Sequence, residues 1–543
     1  MIARIGGVLL DRLADRRRRA LEALARRPIE AQRAALLDLV RRAEGTRFGR
    51  SHDFAGIRSI EDYQARVGVG QYLDFRPLWT RVLEGERDVT WPGRPRYWTK
   101  TSGTTAGDKT IPVTDEAFAS HRKGGWDALL LAAAKVGGEH LLGGPMLFLG
   151  GCTRLSPIGV NGLVGDLSGL VARRLPPGLR GRYSPGLDVS SIPDWETRLA
   201  AAARRVAGQD LRLLSGMPSW LLILFDEVSR RHPDVTDRWP NLAVLIHGGV
   251  AFAPYRLRFE ERLGRRLDRI EVYPASEGFV AVQTEASGGL TLMLDYGIFY
   301  EFVPVEDLGL GRPRRHTVAD VELDRSYAIL LTTPAGLWSY ILGDTVRFTA
   351  RDPLRLVITG RVRHFVNAFG ENVIVEEVEQ AMVSACDANG AEVAEFTVAP
   401  RYPSATDPRG GHDWIVEFHR PPRDGQRFVR SIDTALSALN TDYRITRTGD
   451  VGMTAPRVLA VAPGTFHQWM RTAGKLGDQH KVPRVMNHRD LADALLAASR
   501  PPPGGNGRVR DLTAARLTAS PERFYSPGVN PERRPSRFER GIP

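Results

Sequence analysis

From about residue 90 to residue 360, short apolar runs of strand length alternate with stretches of helical periodicity, and this alternation constrains the chain more than any other feature. The runs are Met146–Gly150, Leu242–His247, Arg269–Tyr273, Ile298–Val303, Tyr327–Thr333 and Leu356–Thr359. The helical stretches include Trp195–Ala207, Pro218–Arg231 and Pro254–Leu263. Strands need backbone partners and apolar faces need cover, so this alternation predicts a large α/β domain with layered sheets. After Gly360-Arg361 the texture changes. A helix at Val375–Cys386, strands at Glu395–Ala399 and Trp414–His419, a helix at Phe428–Leu439 and a strand at Arg457–Val461 predict a small α+β unit. Upstream, residues 9–44 read as two helices split at Pro28, with Arg16 to Arg19 on a solvated face. Beyond Arg500 a Pro-, Gly- and Arg-rich segment opens with Pro-Pro-Pro-Gly-Gly and reads as largely irregular. The expected division is a large domain over 1–360, a small domain over 365–490 and a basic tail over 491–543.

Composition narrows the function classes. Hydrophobic residues at 42% and charged residues at 25% suit a soluble globular enzyme. No apolar run approaches the ~18 residues of a membrane span, and the N-terminal apolar patch precedes its arginines, the reverse of a secretory signal. The two cysteines, Cys152 and Cys386, lie far apart, which fits a reducing cytoplasm and no cysteine metal site. The net charge of +12 sits mainly at the ends: residues 1–30 and 501–543 each carry eight Arg against four acids. The body between them is too near neutral for the basic face of a nucleic-acid binder. Only six of the 75 basic residues are Lys. Where charge alone is needed this chain uses Arg, so a Lys inside a motif is informative.

Five segments carry chemistry. Tyr97 to Lys109 holds Thr101-Ser102-Gly103-Thr104-Thr105, a hydroxyl- and Gly-rich turn whose backbone N–H groups can approach phosphate oxygens, with Lys109 adding a point charge. Its spacing is not that of a Walker A loop, and such residues also mark plain turns. Tyr273-Pro274-Ala275-Ser276-Glu277-Gly278 follows a strand, a usual ligand position in α/β folds, and Glu277 suits Mg²⁺ beside phosphate oxygens. Trp338 to Asp344 ends in a carboxylate able to accept both hydroxyls of a ribose. The fourth is Ile358-Thr359-Gly360-Arg361 with Phe369-Gly370-Glu371-Asn372-Val373 before a helix. The fifth is Gly474 to Arg484, which holds Lys475 and Lys481, the only lysines after residue 135.

Taken in order, these segments resemble the adenylate-forming superfamily, and within it the auxin-responsive GH-three branch, the plant acyl acid amido synthetases and their bacterial relatives. The resemblance rests on Thr101-Ser102-Gly103-Thr104-Thr105 with Lys109-Thr110-Ile111-Pro112, on Gly216-Met217-Pro218-Ser219-Trp220, and on Gln479-His480-Lys481-Val482-Pro483-Arg484. It spans roughly residues 30–490 and implies a large N-terminal layered α/β domain with several sheets plus a small C-terminal α+β lid. It implies ATP and Mg²⁺, a small carboxylic acid and an amine such as an amino acid as substrates, and no nucleic acid, membrane or appended carrier domain. By that resemblance Thr101 to Thr105 cradle the phosphates and Gly248, Gly249 and Tyr273 lie along the adenine. Ser276 sits near the phosphate, Glu277 holds Mg²⁺, Asp344 binds the ribose, and Arg361 touches ribose or phosphate. Residues 361–364 form a hinge, and either Lys481 or Lys475 approaches the α-phosphate.

One departure concerns the acceptor side. Plant members carry a Lys before the small domain's first helix, where this chain has Gly370-Glu371-Asn372, closer to the wider superfamily. The branch-level resemblance makes the expected function an AMP-producing acid–amine ligase, while the Gly370-Glu371-Asn372 loop speaks for the first of the alternatives. An acyl-CoA ligase and a non-catalytic nucleotide-binding relative are the alternatives. His121, His247 and His480 are pocket candidates, and His247, preceding Gly248-Gly249, is the one read as an acyl-pocket residue.

Overall fold

The computed structural model describes residues 2–101, 109–231, 238–250, 252–286, 288–308, 310–361, 365–366, 371, 373–402, 410–447, 453–476, 481–499 and 509–513. An eleven-stranded sheet forms the backbone of the large domain. Its first half runs Tyr183–Ser184, Met146–Leu149, Leu213–Gly216, Val244–Gly248, Asp268–Pro274, all parallel. Parallel neighbours need crossover connections, which the helices Trp195–Ala207, Pro218–Ser229 and Arg256–Leu263 help to supply. These strands are buried on both faces and therefore read as unbroken apolar runs. Val244 and Ile246 face one core, lined by the helix Asp115–Val136. Leu245 faces another, with Trp220, Phe225 and Phe259.

Beyond Asp268–Pro274 every neighbour is antiparallel: Phe279–Val282, Leu290–Leu292, Leu354–Arg361, Leu337–Arg351, Ser326–Thr333, Phe299–Pro304. Two consequences position the site. The parallel strands end at one edge, so Gly216, Gly248 and Pro274 lie side by side where the loops diverge and leave a crevice. The antiparallel half also curls back toward that edge. Four strand-to-strand steps, about 19 Å in a flat sheet, lie between the strands of Tyr273 and Asp344, yet Tyr273 Oη is 2.6 Å from Asp344 Oδ2. Bulges between Leu337–Arg351 and Leu354–Arg361 sharpen the bend. The strand Leu337–Arg351 runs through the Gly343-Asp344 pair without a turn.

A second, four-stranded sheet contains the hairpin Tyr97–Thr101 and Lys109–Val113. The N-terminal helices are Ile2–Ala25 and Pro28–Ala43, split at Pro28 as expected. The arginine face is not wholly solvated, however. Arg17 turns inward to Asp127 at 2.6 Å and Asp295 at 2.7 Å. Lys123 also bonds Asp295, and Tyr296 Oη donates to Asp127 at 2.7 Å. Two carboxylates under a helix need cationic partners, and Arg17 is the arginine aimed at them.

The small unit is a four-stranded sheet, Glu392–Arg401, Gly411–Arg420, Arg457–Val461 and Arg510–Asp511, with helices on both faces. Val375–Asn389 and Gly425–Leu439 cover Trp414 and Val416 on one side. Thr465–Thr472 and Asp490–Ala498 cover Ile415 on the other. The tail reading is corrected here: Leu491 and Leu495 belong to this core, and Arg510–Asp511 pairs antiparallel with Arg457–Val461. An otherwise unpaired inner edge recruited the strand. Among the described residues no helix is long and apolar enough to cross a membrane.

Candidate active site

The crevice at the sheet edge is built from segments hundreds of residues apart. Thr101 pairs with Lys109 across the hairpin, so the loop between them, with Ser102, Gly103, Thr104 and Thr105, lies outside the described residues. Lys109 leaves the hairpin with its ammonium 5.6 Å from the Tyr72 ring centre. Tyr72 Oη also accepts from the Thr110 backbone N–H at 3.2 Å. Tyr72 is a site neighbour with no motif to flag it.

Tyr273 to Gly278 forms a tight reversal between the last parallel strand and the first antiparallel one, closed by two backbone hydrogen bonds between Ala275 and Gly278 at 3.1 and 3.2 Å. Ser276 and Glu277 sit at its tip. His121, buried on the Asp115–Val136 helix, is hydrogen-bonded to the Ser276 backbone, and burial pushes its imidazole down to about 4, so it is neutral at pH 7. Glu277 is buried, and that burial pushes its carboxyl up to about 7. Asp344 adds to the rise, while its own backbone, Lys109 and Arg361 oppose it.

Asp344 is held on both oxygens. Tyr273 donates to Oδ2, and Arg361, directly across the ladder, donates from Nε to Oδ1 at 2.9 Å. Each oxygen keeps a second acceptor position. Burial, then Asp344, push the Tyr273 phenol well up, so it stays a donor. Arg361 ends its strand, and residues 362–364 lie outside the described residues.

Lys481 reaches this group from the small unit. Its ammonium lies 3.1 Å from where a Cβ on Gly249 would stand, with Met217 Cγ 3.9 Å from the same point. Gly249 has φ +88, so glycine is required there twice, by conformation and by space. Lys481 keeps an exposed face, yet protein atoms crowd its ammonium. Desolvation, then Arg361, push it down to about 8, and Asp344 opposes them. The structure does not bring Lys475 here. It lies over the Trp469 ring, 5.6 Å from its centre, beside its own helix.

One expectation is corrected. His247 does not line the crevice: strand alternation turns it toward the Leu245 core, where it packs on Phe252 at 4.9 Å. Burial, then Arg269, push it down to about 3. Glu371, in the loop that departs from the plant pattern, is buried in the small unit, 2.9 Å from His412 Nε2. Its neighbours Gly370 and Asn372 lie outside the described residues.

Glu277 and Asp344 are two carboxylates close enough to raise one of them, facing Lys109 and Arg361. With Asp344 held by Tyr273 and Arg361, Glu277 is the carboxylate suited to a hard, oxygen-seeking divalent cation completed by phosphate oxygens. Two carboxylates, the cations Lys109 and Arg361, and Lys481 arriving from the small unit give this place a class of chemistry able to hold an anion.

Comparison with known proteins sharpens that class. Solved structures share the fold: the GH3.15 acyl acid amido synthetase, with a TM-score of 0.72 at 18% identity, matches 88% of this chain and 95% of its own. The 2-hydroxyisobutyryl-CoA ligase in its postadenylation state matches with 0.55 at 15% identity, over 85% of this chain and 90% of that one. The fold is thus that of the GH3 and adenylate-forming enzymes, a large multi-sheet domain and a small α+β domain. Profiles for the GH3 family N-terminal, central and C-terminal domains match residues 17–153, 291–361 and 376–490. Together these cover more than half of the chain, which therefore belongs to the GH3 family. Indole-3-acetic acid-amido synthetase GH3.8 of Oryza sativa subsp. indica is 27% identical over 48% of this chain and 46% of its own length. Probable indole-3-acetic acid-amido synthetase GH3.2 of Oryza sativa subsp. japonica is 23% identical over 86% and 89%. The matched region spans about half the length of the first of these curated relatives.

Proposed function

We propose that this chain is an ATP-dependent acyl acid amido synthetase: it adenylates a small carboxylic acid and passes the acyl group to an amine, in the family's manner an amino acid. The observation that carries this reading is the approach of Lys481, from the small unit, to Gly249, Asp344 and Arg361 of the large one. A cation delivered by a separate lobe is what a reaction between two anions needs.

In the first step a carboxylate oxygen attacks the α-phosphorus and pyrophosphate leaves. At about 4 Å two such charges repel by roughly 4 kcal/mol at an effective dielectric near 20. Lys481 and the N–H groups of the 101–109 turn offset that repulsion as charge builds on the α-phosphate. Asp344, fixed by Tyr273 and Arg361, accepts the ribose hydroxyls; Gly248 and Gly249 leave room along the adenine; Ser276 adds a hydroxyl near the phosphate. Glu277, with the nucleotide's phosphates, would hold Mg²⁺, which supplies charge neutralisation and orientation. In the second step the amine attacks the acyl carbonyl, AMP leaves, and the nitrogen loses a proton. The mixed anhydride is open to water, so rotation of the lid about residues 361–364 serves sequestration as well as transfer.

Incubation with ATP, Mg²⁺, a panel of acids and a panel of amino acids tests the reading by mass spectrometry. An amide formed together with AMP is the expected product. AMP release that depends on coenzyme A, with no amide across the panel, would replace it with acyl-CoA ligation. Nucleotide binding without either product would make the chain a non-catalytic relative.

A further inference from the structure

Three residues after Lys481, Arg484 is buried in the seam between the lobes. Within the small unit its guanidinium pairs with Glu395, donates to the Phe396 carbonyl at 2.9 Å and lies 3.4 Å from Glu379. Across the seam Nη2 donates to Tyr255 Oη, a buried group on the turn Ala253–Tyr255 of the large domain. The segment that carries Arg484 is itself fastened. Thr397 Oγ1 donates to the Pro483 carbonyl at 2.7 Å, and backbone bonds of 2.8 and 2.9 Å join Val398 to Arg484 and Met486. Three residues of chain span at most about 10 Å, so the position of Arg484 limits where the Lys481 ammonium arrives.

The partners of Arg484 divide into two kinds. Glu379, Glu395 and Phe396 travel with it in any rigid rotation of the small unit. Tyr255 does not: it stays behind on the large domain. We propose that the Arg484–Tyr255 hydrogen bond is an inter-lobe latch, with Arg484 a positioning residue that sets Lys481 against the crevice, and that the latch parts when the lobes rotate. A charge-assisted hydrogen bond in a buried seam biases two lobe arrangements by about tenfold or more. The bias needs no substrate contact by either residue.

Tyr255→Phe isolates the latch. It keeps the ring in the large-domain core and leaves every small-unit partner of Arg484 intact. The kinetic half of the inference rests on the proposed two-step reaction; the structural half does not. Small-angle scattering of the full chain without substrate should show Y255F with a larger radius of gyration than the wild type. Acid-dependent pyrophosphate exchange should lose about tenfold in kcat with little change in KM for ATP. Acyl transfer from supplied acyl-adenylate to an amine should be unchanged. Arg484→Lys should show the same split, since a single ammonium can keep one carboxylate but not the fork geometry. Wild-type scattering with unchanged exchange would overturn the latch, as would both half-reactions falling together with a lower Tm. Should the wild type exchange pyrophosphate with no acid at all, the proposed reaction fails, and scattering still decides the latch.

Discussion

Lys475 and Lys481 belong to one short loop in a chain that otherwise relies on Arg, yet they face different ways. Lys481 abuts Gly249, while Lys475 covers Trp469. Lys481→Ala is therefore expected to cut acid-dependent pyrophosphate exchange by about 10²–10³ with Tm unchanged, and Lys475→Ala to stay within about twofold. Equal losses in the two variants would refute the assignment. Glu277 gives a second prediction. Its folded-state carboxyl sits at about 7, above its ordinary 4.5. Below about pH 4.5 it is neutral whether folded or unfolded. As pH rises from there through 7, the unfolded chain loses the proton first, and stability falls by up to about 3 kcal/mol. Glu277→Gln should flatten that slope in melts without nucleotide or divalent ions, leaving the share of Glu379, which burial also holds at about 7. At this scale the sequence marks Glu277 and Asp344 by their places beside apolar strands, and marks Lys475 and Lys481 together against an Arg-rich background without deciding between them. The sequence points to His247 ahead of His121, whereas it is His121 that reaches the Ser276 turn, through helix packing, and His247 that turns away, through strand alternation.

At the scale of elements, local periodicity fared well where burial was one-sided or complete. The helix Trp195–Ala207 and the strand Arg457–Val461 fall where the sequence places them. It failed where a distant partner decides. Arg17 looks like any arginine on a polar face until Asp127 and Asp295 arrive from 110 and 278 residues away. Replacing it by Ala leaves two carboxylates under the Ile2–Ala25 helix without their bidentate partner, with Lys123 still on Asp295. We expect a loss of about 3 kcal/mol in urea unfolding, with the loosening concentrated in that helix by amide exchange. A change under 1 kcal/mol would mean that the helix is held by its apolar contacts alone. The strand Arg510–Asp511 was hidden for a similar reason: two residues inside a Pro- and Gly-rich stretch carry no periodicity, and only the edge of Arg457–Val461 calls for them.

The whole molecule depends on a sheet that changes direction once and then curls, so that Asp344 returns to Tyr273 across four strand steps. No local pattern encodes that curl. It follows from bulges and from burial on both faces, and the ordered motifs pointed to it only through a family resemblance. Among the described cations of the site Lys481 alone comes from the small unit, while Lys109 and Arg361 share the large domain with Glu277 and Asp344; the proposed rotation of the lobes would bring Lys481 up and take it away. The Tyr255→Phe latch belongs to this scale too, since it alters how the lobes sit and no group that meets substrate. The central claim is that Lys109, Glu277, Asp344 and Lys481 serve one bound nucleotide. Pyrophosphate exchange across a library of carboxylic acids, run in parallel on the wild type and Asp344→Ala, tests it most directly. Exchange with at least one class of acid, lost on removal of Asp344, is the predicted result; exchange that survives the substitution, or none with any acid, would contradict it.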